Sequence, residues 1–289
     1  MNGLLGAIFA RGFFADGGVQ VALAVSAAVS IVSGAVGVFT VMRGQAFAGH
    51  AIADLGATGG AAAFLVGVGP LWGFVAIGVA AAGIMELIGI QRPQGRDLAT
   101  GIVLGAGLGV AALLLYLDTI YASTSGATVT ILFGSVFAIG SSTIPVVVVL
   151  SVLAIGLLGV IYRPLLLSSV SPEIAAARGL PVRAIGAVFL LALAIAVSLA
   201  AVTIGAILST ALLVGPAAAA LRMTRRPGMA IAAAGAIGVG ATWVGIVLAY
   251  DSYDWPPAGH GWPVSFFVVV LVFAFYLLAG VPDRLRRPG

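Results

Sequence analysis

The chain alternates long apolar stretches with short polar ones. Nine apolar runs stand out, at residues 17–42, 45–69, 71–90, 98–118, 143–162, 184–202, 204–221, 228–249 and 264–282. A helix of roughly 20 apolar residues crosses about 30 Å of hydrocarbon. The runs are continuous and rich in Gly, Ala, Leu and Val, which excludes a β-barrel built from alternating strands of about ten residues. The pattern predicts an all-α, polytopic transmembrane helical bundle of about nine spans, or eight, as a single domain over residues 1–289.

Three stretches depart from simple spanning. Residues 128–140, which contain Leu132-Phe133-Gly134-Ser135, are apolar but short. They predict a re-entrant or interfacial helix, because irregular backbone at membrane depth must be covered by protein. Residues 1–16 are too short to span and predict an interfacial segment with Phe13 and Phe14 as anchors. Residues 163–183 are the longest polar connection expected on the cytoplasmic side. There Ser171 can cap a short helix, with Pro172 at its first position and Glu173 in its first turn. Gly179 and Pro181 end it.

Composition agrees with the pattern. Hydrophobic residues make up 62% of the chain and charged residues 8%, against about 25% charged in soluble domains. The formal net charge is +4, but the basic residues lie between apolar runs and make no stripe for nucleic acid. All 13 are Arg. Placing alternate connections in the cytoplasm puts every Arg except Arg11 inside, as the positive-inside rule requires. With nine spans the N-terminus is then outside and the C-terminus cytoplasmic. There is no Cys, so thiolate sites and disulfides are excluded. No basic n-region with a small-residue cleavage site is present, and no removable signal peptide is expected. The 41 Gly, including Gly34, Gly37 and the series Gly101, Gly105 and Gly109, read as close helix packing.

Few residues can carry chemistry. His50 and Asp54 share one face of the second run, one turn apart. Counting from Gly44, Asp54 lies roughly 15 Å along the span, near the midplane. An ionised Asp there costs about 2.5 kcal/mol or more unless paired or hydrated. An imidazole and a carboxylate at this spacing form half a site for Zn²⁺ or Mn²⁺; a buried His–Asp hydrogen bond tying helices together is the structural alternative. Glu86 reads as snorkelling or pairing with Arg92 or Arg96, and Asp97, with Thr100 on the same turn, as the cap of the fourth span. Asp251, Asp254 and His260 belong to an outer loop anchored by Trp255 and Trp262. Ser198, Thr203, Ser209 and Thr210 are expected to bond across helices or back to carbonyls. No base stands near a nucleophile for hydrolysis, no His-Glu-x-x-His is present, and no phosphate-binding loop is present, so the chain is not expected to be an enzyme or to hydrolyse ATP itself.

Four stretches together carry a family resemblance. They are Gly37-Val38-Phe39-Thr40-Val41-Met42-Arg43 with Gly49 to Gly59; Asp97-Leu98-Ala99-Thr100-Gly101-Ile102; Leu132-Phe133-Gly134-Ser135; and Ser171 to Pro181 continuing to Val214-Gly215-Pro216-Ala217-Ala218-Ala219. From Val19 to Val281 the chain resembles the membrane permease of binding-protein-dependent ABC importers for Zn²⁺ and Mn²⁺. The resemblance implies a homodimer, a cytoplasmic ATPase, an extracytoplasmic metal-binding protein and a transported divalent metal, with no permanently bound cofactor. It implies a metal-facing role for His50 and Asp54, and ATPase coupling through Ser171, Pro172, Glu173, Ala177, Arg178 and Gly179. The family pattern is Gly-Asp-x-x-Ser-His. Here His50 stands where Asp is usual, Asp54 where His is usual, and Ala53 replaces the Ser, so the ligand types are exchanged by about one turn, ~5 Å. A permease for a metal chelate and an ion-coupled transporter using His50 and Asp54 as a proton relay are the rival readings. A reporter fused to the C-terminus is expected to be active only in the cytoplasm; activity only outside would refute the orientation.

Overall fold

The computed structural model describes residues 13–88, 96–121, 126–134, 136–255 and 261–280. A 3₁₀ turn, Phe13–Ala15, precedes α1 (Gly17–Met42), α2 (Ala46–Leu65), α3 (Pro70–Ile88), α4 (Arg96–Tyr121) and α5 (Ala127–Phe133). Short 3₁₀ turns lead into α6 (Ile144–Val170), followed by α7 (Pro172–Ala177), α8 (Val182–Ile204), α9 (Ala206–Met223), α10 (Pro227–Asp251) and α11 (Val264–Ala279). A long helix stands at each of the nine apolar runs, and no strand occurs among the described residues. The protein is a polytopic helical bundle. Among the described residues seven helices are long and apolar enough to cross a membrane. Helix α2 is not among them, because His50 and Asp54 lower its hydropathy, and α11 has only 16 residues.

Helices α1 and α8 form the centre. From Ile185 to Ile204 α8 is buried almost throughout, and α1 packs against α6, α8, α9 and α10. Helix α2 lies between α3 and α4 and touches α8 and α9. Lipid gives helices no hydrophobic reason to associate, so close packing of small residues takes over. A Cβ on Gly34 would sit 2.6 Å from the Gly235 nitrogen of α10. One on Gly59 would sit 2.1 Å from the Gly73 carbonyl oxygen, joining α2 to α3. The expected Gly101–Gly105–Gly109 face behaves differently: Cβ atoms on Gly105 and Gly109 would meet nothing within 4 Å, whereas Gly107 abuts Leu55. Within the chain, Gly107 rather than Gly105 or Gly109 makes the α4 contact.

The short apolar stretch is not a span. Helix α5 has seven residues and ends at Gly134, whose φ of 77° suits glycine. Gly134 lies against Gly205, the single residue between α8 and α9, with φ of 90°. A Cβ on either would come within 2.5 Å of the other segment's backbone. Phe13, expected as a membrane anchor, is buried against Tyr250 and Val136; Phe14 is exposed. Residues 1–12 lie outside the described residues.

The polar connection after α6 is shorter than the predicted 163–183. Arg163 and Pro164 do not end the helix; α6 continues to Val170 with Pro164 inside it. Proline forfeits one backbone bond, and the flanking residues hold the helix across it. At 27 residues α6 is roughly 40 Å long, more than the hydrocarbon thickness. Arg183 likewise belongs to α8. We predict that Gly59→Val lowers stability by about 2 kcal/mol through overpacking, read as thermal unfolding in detergent, whereas Gly105→Ala leaves it unchanged.

Candidate metal site and coupling segment

Helix α2 starts just after a tight corner. The amide of Gln45 bonds to Thr40 O at 2.9 Å and that of Gly44 to Val41 O at 3.1 Å, while Gly44 takes φ of 63°. This is a Schellman closure of α1. The chain then rises as α2, whose fifth and ninth residues are His50 and Asp54. Their spacing puts the two side chains together: His50 Nε2 lies 3.4 Å from Asp54 Oδ2. The Asp54 side chain is 8% exposed and that of His50 41%. Thus the carboxylate is hidden inside the chain and the imidazole reaches its open face.

The other ring nitrogen is also engaged. His50 Nδ1 lies 3.2 Å from Thr210 Oγ1 on α9. The sequence predicts hydrogen bonds for Thr210 without naming its partner, since nothing local relates it to His50. With Nδ1 facing the threonine, Nε2 faces the carboxylate, an orientation suited to a metal ligand supported from behind. Ser198 also bonds across helices, donating to Phe74 O at 3.0 Å. Thr203 and Ser209 bond back to carbonyls of their own or the preceding turn, at 2.9 Å and 2.8 Å. Among the described residues no group of three or more His, Asp or Glu gathers to hold an ion. The chain contributes one nitrogen and one carboxylate.

The segment after α6 forms as the residues predict. Ser171 is extended, with φ of −150° and ψ of 96°, and its Oγ accepts from the Ile174 amide at 3.4 Å. Pro172 is the first helical residue and Glu173 lies in the first turn. At the far end the Leu180 amide bonds to Ala175 O at 3.1 Å and that of Gly179 to Ala176 O at 2.9 Å. Gly179 has φ of 77°, completing a second Schellman closure. Only Ala175 is buried; Pro172, Glu173, Ile174, Ala176, Ala177, Arg178 and Gly179 are exposed. A six-residue helix fixed at both ends therefore stands clear of the bundle.

Other candidates resolve less fully. The side chains of Asp97, Thr100, Asp254 and His260 lie outside the described residues, as do Arg92 and the side chain of Arg96. Glu86 acts electrostatically on Arg43, an influence the sequence does not suggest. Trp255 and Trp262 pack edge to face at 6.1 Å, and both meet Phe267.

The bundle is the fold of a membrane transport subunit. Residues 16–279 match the model of the ABC 3 transport family, and the chain belongs to that family. It is a multi-pass protein of the cytoplasmic membrane. It is 32% identical over 243 residues to the manganese transport system membrane protein MntC of Listeria innocua, covering 84% of this chain and 85% of that one. It is 30% identical over 268 residues to the protein of the same name from Halalkalibacterium halodurans, covering 93% and 90%. Among solved structures, PsaBC from Streptococcus pneumoniae in complex with Fab is similar with a TM-score of 0.78 and 26% identity, covering 95% of each chain. An inward-facing putative metal-chelate type ABC transporter shares the fold, with a TM-score of 0.70 at 15% identity.

Proposed function

We propose that this chain is the permease subunit of an ABC importer for a divalent metal ion, Zn²⁺ or Mn²⁺, and that His50 and Asp54 hold the ion in transit. The observation that carries this is the His50–Asp54 pair itself, one turn apart and 3.4 Å from atom to atom. Intramembrane ionisable residues serve function by default, and a chelate path has no use for a ligand pair. The relatives named for manganese support the cargo class.

The count of ligands points to two copies of the chain. Zn²⁺ takes about four ligands, and Mn²⁺ takes more with a preference for oxygen. One chain supplies two, with His50 half exposed at its open face. A homodimer brings two nitrogens and two carboxylates to one path. The exchanged order puts the imidazole nearer the α1–α2 corner and the carboxylate one turn deeper. The ion is not chemically altered; it sheds water, binds, and is released when the packing changes.

The exposed α7 supplies the handle for a cytoplasmic ATPase, through Ser171, Pro172, Glu173, Ala177, Arg178 and Gly179. Ile174 is 51% exposed and offers an apolar contact to a partner groove. An extracytoplasmic metal-binding protein delivers the ion to the outer face. His50→Ala and Asp54→Ala are each expected to abolish divalent-metal accumulation in cells while the permease stays in the membrane. Unchanged uptake of every divalent ion in both variants would refute the site. Ile174→Glu is expected to release the ATPase on purification; a fully retained ATPase would refute the handle.

A further inference from the structure

Arg43 occupies a position that neither the pair nor the handle explains. It is the capping residue at the end of α1, within the Schellman corner that turns the chain into α2. Seven residues later comes His50. Its side chain does not run to the surrounding solvent, as an arginine at a membrane boundary ordinarily does. It turns inward and meets two other helices, α6 and α8. Nη1 donates to Ser168 Oγ at 3.2 Å. The guanidinium carbon lies 5.5 Å from the ring centroid of Phe189 on α8, a cation–π contact. From α3 the Glu86 carboxylate acts on it. Burial pushes its pKa below the ordinary arginine value and Glu86 pulls it upward.

The partner matters most. Ser168 lies in the last turn of α6, three residues before Ser171, and is itself held by a bond to Leu165 O at 3.1 Å. A rigid connection therefore runs from the base of α7, through Ser168 and the planar guanidinium, to the closed corner that carries α2. Two groups at that corner are left open. Arg43 Nε and Gln45 Oε1 are both buried and without a hydrogen-bond partner. One is a donor and the other an acceptor. The corner thus holds polar groups that its own backbone closure does not use.

We propose that Arg43 is the positioning residue that carries movement of the ATPase-coupling segment to the His50–Asp54 pair. This rests on the function proposed above, in which α7 meets an ATPase and the pair holds the ion. When α7 is displaced, Ser168 moves with the end of α6. The grip on Arg43 then shifts the α1–α2 corner, and with it the start of the helix that bears both ligands. Lysine replaces the group only in part, because a single ammonium keeps the charge but lacks the flat fork that bonds to Ser168 while lying over Phe189.

The test is the number of metal ions moved per ATP hydrolysed, in vesicles holding the permease with its ATPase, using Mn²⁺ or Zn²⁺ as probe. Arg43→Ala is expected to keep the ATPase attached and hydrolysing while the ratio falls about tenfold. Arg43→Lys is expected to lie between. Ser168→Ala, which removes only the acceptor, is expected to lower the ratio as well, and the double variant to be no worse than Arg43→Ala, since both act on one contact. A role in folding alone would lower uptake and hydrolysis together and leave the ratio unchanged. An unchanged ratio in Arg43→Ala and Ser168→Ala, or loss of the ATPase from Arg43→Ala, overturns the proposal. Failure of the underlying function reads differently, as normal uptake by His50→Ala or a retained ATPase in Ile174→Glu, both with Arg43 intact.

Discussion

Inside lipid a helix gains little by meeting another helix unless the two backbones come close. The architecture depends on that constraint. At Gly37 a Cβ would lie 1.9 Å from the Leu213 carbonyl oxygen, and at Gly73 it would lie 2.0 Å from that of Gly59. These contacts admit no side chain. They press α2 against α3 on one side, while Leu213 reaches both α1 and Gly49 of α2. A helix enclosed this tightly can hide the Asp54 carboxylate and still leave its imidazole neighbour on the open face. The placement of the two side chains is thus a result of glycine packing several residues away.

The same constraint separates the two halves of the proposed mechanism. The ion-binding pair sits among helices held by backbone contact, where adjustment is small. The ATPase handle sits beyond the bundle, on the end of a helix longer than the hydrocarbon layer is thick. Something must join the two regions, and packing alone cannot, because α7 touches only α6 and α8 to any extent. Polar contacts are few in this chain, so those at the cytoplasmic corner carry unusual weight. Arg43 gathers contacts from α6 and α8, and feels the charge of Glu86 on α3, in a protein where only 8% of residues are charged.

Much of the fold was legible because the bilayer imposes a length and a composition that any stretch of sequence reveals. All nine apolar runs carry long helices, and Ser171-Pro172-Glu173 with Gly179 announced both ends of α7 correctly. Their signals are local: a cap, a fixed φ, a positive φ. The His50–Asp54 proximity was legible for the same reason, since helix geometry guarantees it. What the sequence could not reveal is contact between residues far apart along it. Thr210 beside His50 and Ser168 beside Arg43 are separated by 160 and 125 positions. Pro164 misled in the other direction: it looks like a stop, yet the helix runs through it, because one lost bond is small beside the packing of the turns on either side. On α4 the spacing did not say which face has a neighbour: Gly105 and Gly109 meet no other helix of the chain, whereas Gly107 does.

One consequence of the closed ends of α7 is mechanical. An uncapped helix of six residues would fray, and a push on its middle would be absorbed by its own unwinding. Here Ser171 ties down the first turn and the Gly179–Leu180 closure the last. A load applied at Ile174 therefore has no slack to take up. It passes into α6 and α8, the two helices that α7 joins.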